Sequence, residues 1–161
     1  MKPGDPDNLE ARVAQYYWST YWPDFNRSRG GEHPNSWLNY GYALLRASCA
    51  RALVGSGLLP VLGVFHRNKY NPYCLADDLM EPFRPFIDWR VWNLAQEFPA
   101  NENDPLPQIV KVELLKSLSI TVRLDGKRSP LMTAVQHTAN SLAQVYMGEK
   151  RKLRLPEFAS E

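Results

Sequence analysis

The residue types able to do chemistry concentrate in one stretch, residues 57–85, which reads GLLPVLGVFHRNKYNPYCLADDLMEPFRP. A lone histidine, His66, is followed within fifteen residues by three carboxylates, Asp77, Asp78 and Glu81. One imidazole nitrogen with carboxylate oxygens suits Mg²⁺ or Mn²⁺ holding open water positions. The set is too rich in oxygen and too poor in cysteine for structural zinc. Arg67, Lys69 and Arg84 surround it, so phosphate is the expected substrate chemistry. A plainer account stands beside this one. A histidine after an apolar run is often a packed residue, and acids in a helix's first turn gain about 0.3–1 kcal/mol from its dipole. That covers Asp77 and Asp78 but not Glu81, which lies past the first turn. Three such charges repel, and a divalent cation relieves the repulsion.

A site of one histidine and two acids needs a further carboxylate, for which Glu10 is the candidate. Glu10 also stands three residues after Asp7, the spacing of a capping box. On spacing alone both roles remain open.

The elements that must position these side chains are mainly helical, and the expected class is all-α. A first helix is expected from about Asn8 to Tyr21, with Val13, Tyr16, Tyr17 and Thr20 on its buried side. The strongest helical pattern runs from about Ser36 to Gly55, capped by Asn35. There Leu38, Tyr42, Leu45, Cys49, Ala52 and Leu53 recur at the helix period. A short helix follows from about Leu75 to Arg84, kinked at Pro85 and continuing through residues 86–94. Further helices are expected over about 107–118 and 130–147. Residues 121–127 alternate and turn at Asp125-Gly126, a short extended piece. Residues 1–7 read as a linker, 8–148 as the helical domain, and 149–161, with Lys150, Arg151, Lys152 and Arg154, as a basic, mobile tail.

Composition narrows the function classes. The 161 residues are 44% hydrophobic and 22% charged, ordinary for one globular domain. No run of 18 apolar residues is present, so no membrane partner is expected. Two cysteines without metal-site spacing, Cys49 and Cys74, read as buried hydrophobes in a reducing compartment. A net charge of +2 confines any nucleic-acid surface to a local patch.

The run NSWLNYGYALLRASCARAL, followed by GLLPVLGVFHRNKYNPYCLADDLMEPFRPFID, closely resembles the CRISPR-associated spacer integrase (Cas-one), in particular its type II branch. The likeness extends from about Glu10 to Met147. It implies the helical catalytic domain of that family, with Mg²⁺ or Mn²⁺ held by Glu10, His66 and Glu81 as the catalytic set and Asp78 beside the metal. It also implies the reaction, a metal-assisted transesterification that inserts short foreign DNA into a repeat array. Arg67, Lys69, Arg84 and Arg46 are then candidates for phosphate contacts. The implied partners are prespacer and repeat DNA, the small protein Cas-two and, in the full-length family, a second copy, in a prokaryotic cytoplasm. Family members also carry an N-terminal β-rich domain, which this sequence lacks by this reading. The chain is therefore expected to be a fragment: either an active endonuclease/integrase, or an inactive module that binds DNA or a partner only.

Overall fold

The computed structural model describes residues 8–23, 25, 27–28, 32–101 and 104–159, with the backbone alone at position 10. Its central element is α2, Asn35–Gly55. Trp37, Leu38, Leu45, Cys49, Ala52 and Leu53 recur at three- and four-residue intervals and are buried, as the sequence pattern requires. Each buried leucine of this face contributes about 1.5–3 kcal/mol. Against α2 pack α3 (Cys74–Met80), α4 (Arg84–Glu97), α5 (Gln108–Lys116) and α6 (Leu131–Tyr146). The approach of α2 to α4 depends on Gly41, where an added Cβ would lie 2.6 Å from Cγ2 of Ile87. The remaining helix, α1, spans Leu9–Tyr21.

The all-α expectation holds for most of the chain and fails at its C-terminal end. Residues Thr121–Leu124 (β1) and Lys127–Pro130 (β2) form an antiparallel hairpin, with Asp125 and Gly126 both at positive φ. The basic tail then returns, and Pro156–Phe158 (β3) pairs antiparallel with β1 in the order β2-β1-β3. It is stitched to α6, where Thr138 Oγ1 donates to the Arg154 carbonyl at 2.8 Å. Ser141 Oγ accepts from the Arg154 N–H at 3.0 Å. The Phe158 ring also packs on Phe86, with centroids 4.3 Å apart. The charges of Lys150 to Arg154 concealed this pairing, because they dominate the composition of the segment while its backbone supplies the bonds.

Three local expectations need correction. Asn35 does not cap α2; Pro34 holds that position, and the Asn35 carboxamide oxygen accepts from the Ser28 N–H and from Arg27. On α1 the packed side is Tyr17, Trp18, Tyr21 and Trp22, while Val13 and Tyr16 are exposed. Asp7, the expected cap of α1, lies outside the described residues. Finally, the helical path breaks earlier than Pro85. Pro82 cannot donate an N–H and its ring crowds the Asp78 carbonyl, so α3 stops at Met80. A single 3-10 turn, Glu81–Phe83, precedes α4, in which Pro85 occupies the tolerated first turn. Glu81 therefore sits at a corner between two helices.

Candidate functional site

Asp78 on α3 organises the turn that carries His66. Its Oδ2 accepts the backbone N–H groups of Val64 at 2.6 Å and Phe65 at 3.0 Å. Its Oδ1 accepts the His66 N–H at 3.1 Å and lies 2.6 Å from His66 Nδ1. A carboxylate on Nδ1 fixes the tautomer that carries its proton there. It leaves the Nε2 lone pair as the ring's free ligand position, the arrangement seen behind metal-bound histidines. The turn can approach this closely because residue 63 is glycine. A Cβ there would collide with the His66 carbonyl oxygen and stand 2.8 Å from Cβ of Cys74 and 3.1 Å from Asp78 Oδ2. Pro60 anchors the other end, its carbonyl accepting the Leu75 N–H at 2.6 Å.

His66, Asp78 and Glu81 line a common cavity of about 400 Å³ whose walls are otherwise apolar, including Leu142 and Leu153. Glu81 pairs with Arg84, Oε1 to Nη2 at 3.2 Å, and keeps 44% of its side chain exposed. The structure thus brings His66, Asp78 and Glu81 together. Position 10 lies in the first turn of α1, and the Glu10 side chain is outside the described residues. Ala14 and Trp18, one and two turns further along α1, line a second cavity of about 420 Å³ that Glu81 also borders. Among the described residues no three His, Cys, Asp or Glu side chains converge as a metal cage.

The predicted phosphate contacts gather nearby. Arg46, Arg67 and Arg84, joined by Arg27 and His66, line a polar cavity of about 890 Å³. Lys69 stands over the Tyr70 ring, 4.8 Å from its centroid. Two of these cations already have acidic neighbours. Besides Arg84 with Glu81, Arg46 Nε donates to Asp77 Oδ1 at 2.7 Å. Asp77, expected at the helix start, is buried there and also accepts Asn71 Nδ2 at 2.6 Å, which ties the 66–73 loop to α3. Its role is thus larger than a favourable dipole contact.

Sequence reasoning missed Asp88. It sits on α4, only 2% exposed, and accepts hydrogen bonds from Tyr17 Oη of α1 at 2.9 Å and Tyr42 Oη of α2. Burial pushes its carboxyl up to about 6, against the opposing influence of the Tyr42 and Tyr17 hydroxyls and of Arg84 and Arg27. The same burial, with the Asp88 charge second, raises both phenols. The guanidinium carbons of Arg84 and Arg27 lie 5.0 and 5.5 Å from the Tyr42 ring centroid. The available signal was a lone aspartate inside the apolar run PFIDWRVW.

Comparison with known proteins bears on this constellation. The family described as CRISPR associated protein Cas1 matches residues 7–106. CRISPR-associated endonuclease Cas1 of Neisseria meningitidis serogroup C (strain 8013) is 34% identical over 159 residues, 98% of this chain and 52% of its own. CRISPR-associated endonuclease Cas1 2 of Pyrobaculum aerophilum is 32% identical over 148 residues, covering 88% and 48%. A solved structure of a casposase bound to integration product superposes with a TM-score of 0.77 at 26% identity, over 91% of this chain and 51% of that one. The chain spans about half the length of these relatives.

Proposed function

Because this chain belongs to the CRISPR-associated Cas1 family, we propose that it carries the catalytic part of a metal-dependent DNA integrase and endonuclease. The observation that carries this reading is the His66 ring, held at Nδ1 by Asp78 and facing a cavity shared with Glu81. The donor set fits Mg²⁺ or Mn²⁺: a histidine with one nitrogen already satisfied by a carboxylate, and the half-exposed carboxylate of Glu81. Glu10, His66 and Glu81 would hold the ion, and when bound it would supply charge for the attacked phosphate and favour loss of a proton from the attacking hydroxyl.

The chain's own residues orient and bind. Asp78 keeps the imidazole in one tautomer and at one angle. Arg67, Arg46 and Arg84 line the polar cavity in which phosphates flanking the reacting bond would lie, with Lys69 on the neighbouring loop. The reaction is an exchange of one phosphodiester for another. A 3′-hydroxyl oxygen bonds to phosphorus as the bridging oxygen of the repeat strand leaves with a proton, so no nucleotide cofactor is needed. Support for DNA as substrate comes from the casposase, whose solved structure is named for an integration product. The partners of this reading are prespacer and repeat DNA, Cas-two and a second copy of the chain, in the cytoplasm of a prokaryote. No described helix is long and apolar enough to cross a membrane.

The test is strand transfer and nicking on branched DNA with and without Mn²⁺, in the wild type and in His66→Ala. Mn²⁺-dependent product that disappears in the variant is expected. Product that persists in His66→Ala would sink the assignment. Saturable DNA binding with no product at saturating Mn²⁺ would select the other reading, a module that binds without turnover.

A further inference from the structure

The Asp88 cluster has no part in the reaction just described, yet it joins the elements that carry two of the three proposed ligands. Asp88 reaches α1 through the Tyr17 hydroxyl and α2 through the Tyr42 hydroxyl. The Tyr42 ring in turn lies beneath the guanidinium of Arg84, the partner of Glu81. Arg84 Nε is buried without a hydrogen-bond partner among the described residues, so stacking on Tyr42 and the pairing with Glu81 are what locate this side chain. Helix α1 otherwise presents much of itself to solvent, with Val13 65% and Tyr16 72% exposed. Toward its C-terminal end Trp18 and Trp22 pack on Phe25, and all three rings lie against the hydrophobic core.

We propose that Asp88 is a positioning residue, which sets α1, and with it position 10, against Glu81 through the clasp Tyr17–Asp88–Tyr42. The proposal rests on the reading of Glu10 and Glu81 as ligands given above. Its physical content is that a buried carboxylate accepting two phenolic hydroxyls fixes both rings at once. Losing the Tyr17 bond frees α1, which carries position 10, while losing the Tyr42 bond loosens the ring under Arg84, the partner of Glu81. Facing Asp88 are Tyr17 and Tyr21 of α1, Tyr42 of α2, Arg27 from the segment before α2, and Arg84 of its own helix. The raised carboxyl accords with a group held in place by geometry rather than by solvent.

Hydrogen exchange and Mn²⁺ titration of the whole chain, in wild type, Tyr17→Phe, Asp88→Asn and the control Tyr16→Phe, test this. In Tyr17→Phe the amides of residues 13–21 should exchange about fivefold faster, as expected for one lost hydrogen bond, with α2 and α6 unchanged. The Mn²⁺ dissociation constant should rise about tenfold, the lower range for loss of an outer-shell support. The kcat of strand transfer should fall with KM for DNA unaltered, and Tyr16→Phe should match wild type in every readout. Wild-type exchange at α1 in both Tyr17→Phe and Asp88→Asn would overturn the clasp. So would an α1 that is already unprotected in wild type. Faster exchange with unaltered Mn²⁺ affinity would overturn the positioning role. No Mn²⁺ binding in the wild type would overturn the ligand reading, and this inference with it. That failure is distinguishable, because α1 exchange would still respond to Tyr17→Phe.

Discussion

The His66 turn and helix α1 border two cavities that have Glu81 in common, and they are fastened in different ways. The turn is tied to α3 by four contacts converging on one carboxylate twelve to fourteen residues away in sequence. Helix α1 meets the rest of the fold through a hydroxyl whose acceptor is 71 residues distant and through Trp18 and Trp22, which pack against the core. One of the two is therefore held by contacts close in sequence. The other is delivered by tertiary structure and depends on it. Where binding and turnover need both, the delivered side is the one that conditions and mutations will move first.

This contrast can be broken from either side. The largest effect is expected for Asp78→Ala, which strands three backbone N–H groups and the His66 ring at once. A loss of about 3 kcal/mol follows, roughly 6–12 °C in Tm for a chain of this size, read by thermal denaturation. The α1 amides should keep their protection at temperatures below the transition.

A comparable effect, but one dependent on pH, is expected for Asp88→Asn. The Asp88 carboxyl is raised from 3.8 to about 6 in the folded chain. The folded state thus binds the proton more tightly than the unfolded state. Its contribution is fully present below 3.8 and is lost as pH rises through about 6. The stability difference between wild type and Asp88→Asn should therefore shift by about 3 kcal/mol in favour of the variant between pH 3.5 and 7.5. Denaturant titrations at several pH values read it, and a difference independent of pH would refute the buried-carboxylate account.

The smallest effect belongs to the aromatic edge. Phe25→Leu preserves bulk but removes ring geometry against Trp18 and Trp22. It should cost about 1 kcal/mol, with its signature in α1 exchange rather than at His66.

The same contrast explains what could be read from sequence. His66, Asp78 and Glu81 lie within fifteen residues, so spacing and residue type brought them together on paper, and they line one cavity in the folded chain. The α2 pattern was legible because its core face repeats without interruption from Trp37 to Leu53. The face of α1 was not, because Tyr16 and Tyr17 are chemically near-identical neighbours and only the location of Asp88 decides which one packs. Asp77 looked like a helix-start acid because its partner Arg46 is 31 positions away. The third strand was hidden for a similar reason: strand pairing is decided by the β1 edge, not by the lysines and arginines that precede Pro156. Interactions that span the chain leave no local pattern to find.

Gly63 carries no charge, no ligand atom and no hydrogen-bonding side chain, yet any Cβ at that position meets the His66 carbonyl, Cys74 and Asp78 together. A survey that judged variants by whether the proposed metal-binding and phosphate-binding groups survive would pass a chain altered there as sound. For this fold, an inventory of chemical groups is a poor guide to damage, and the empty space beside His66 belongs on it as much as the imidazole does.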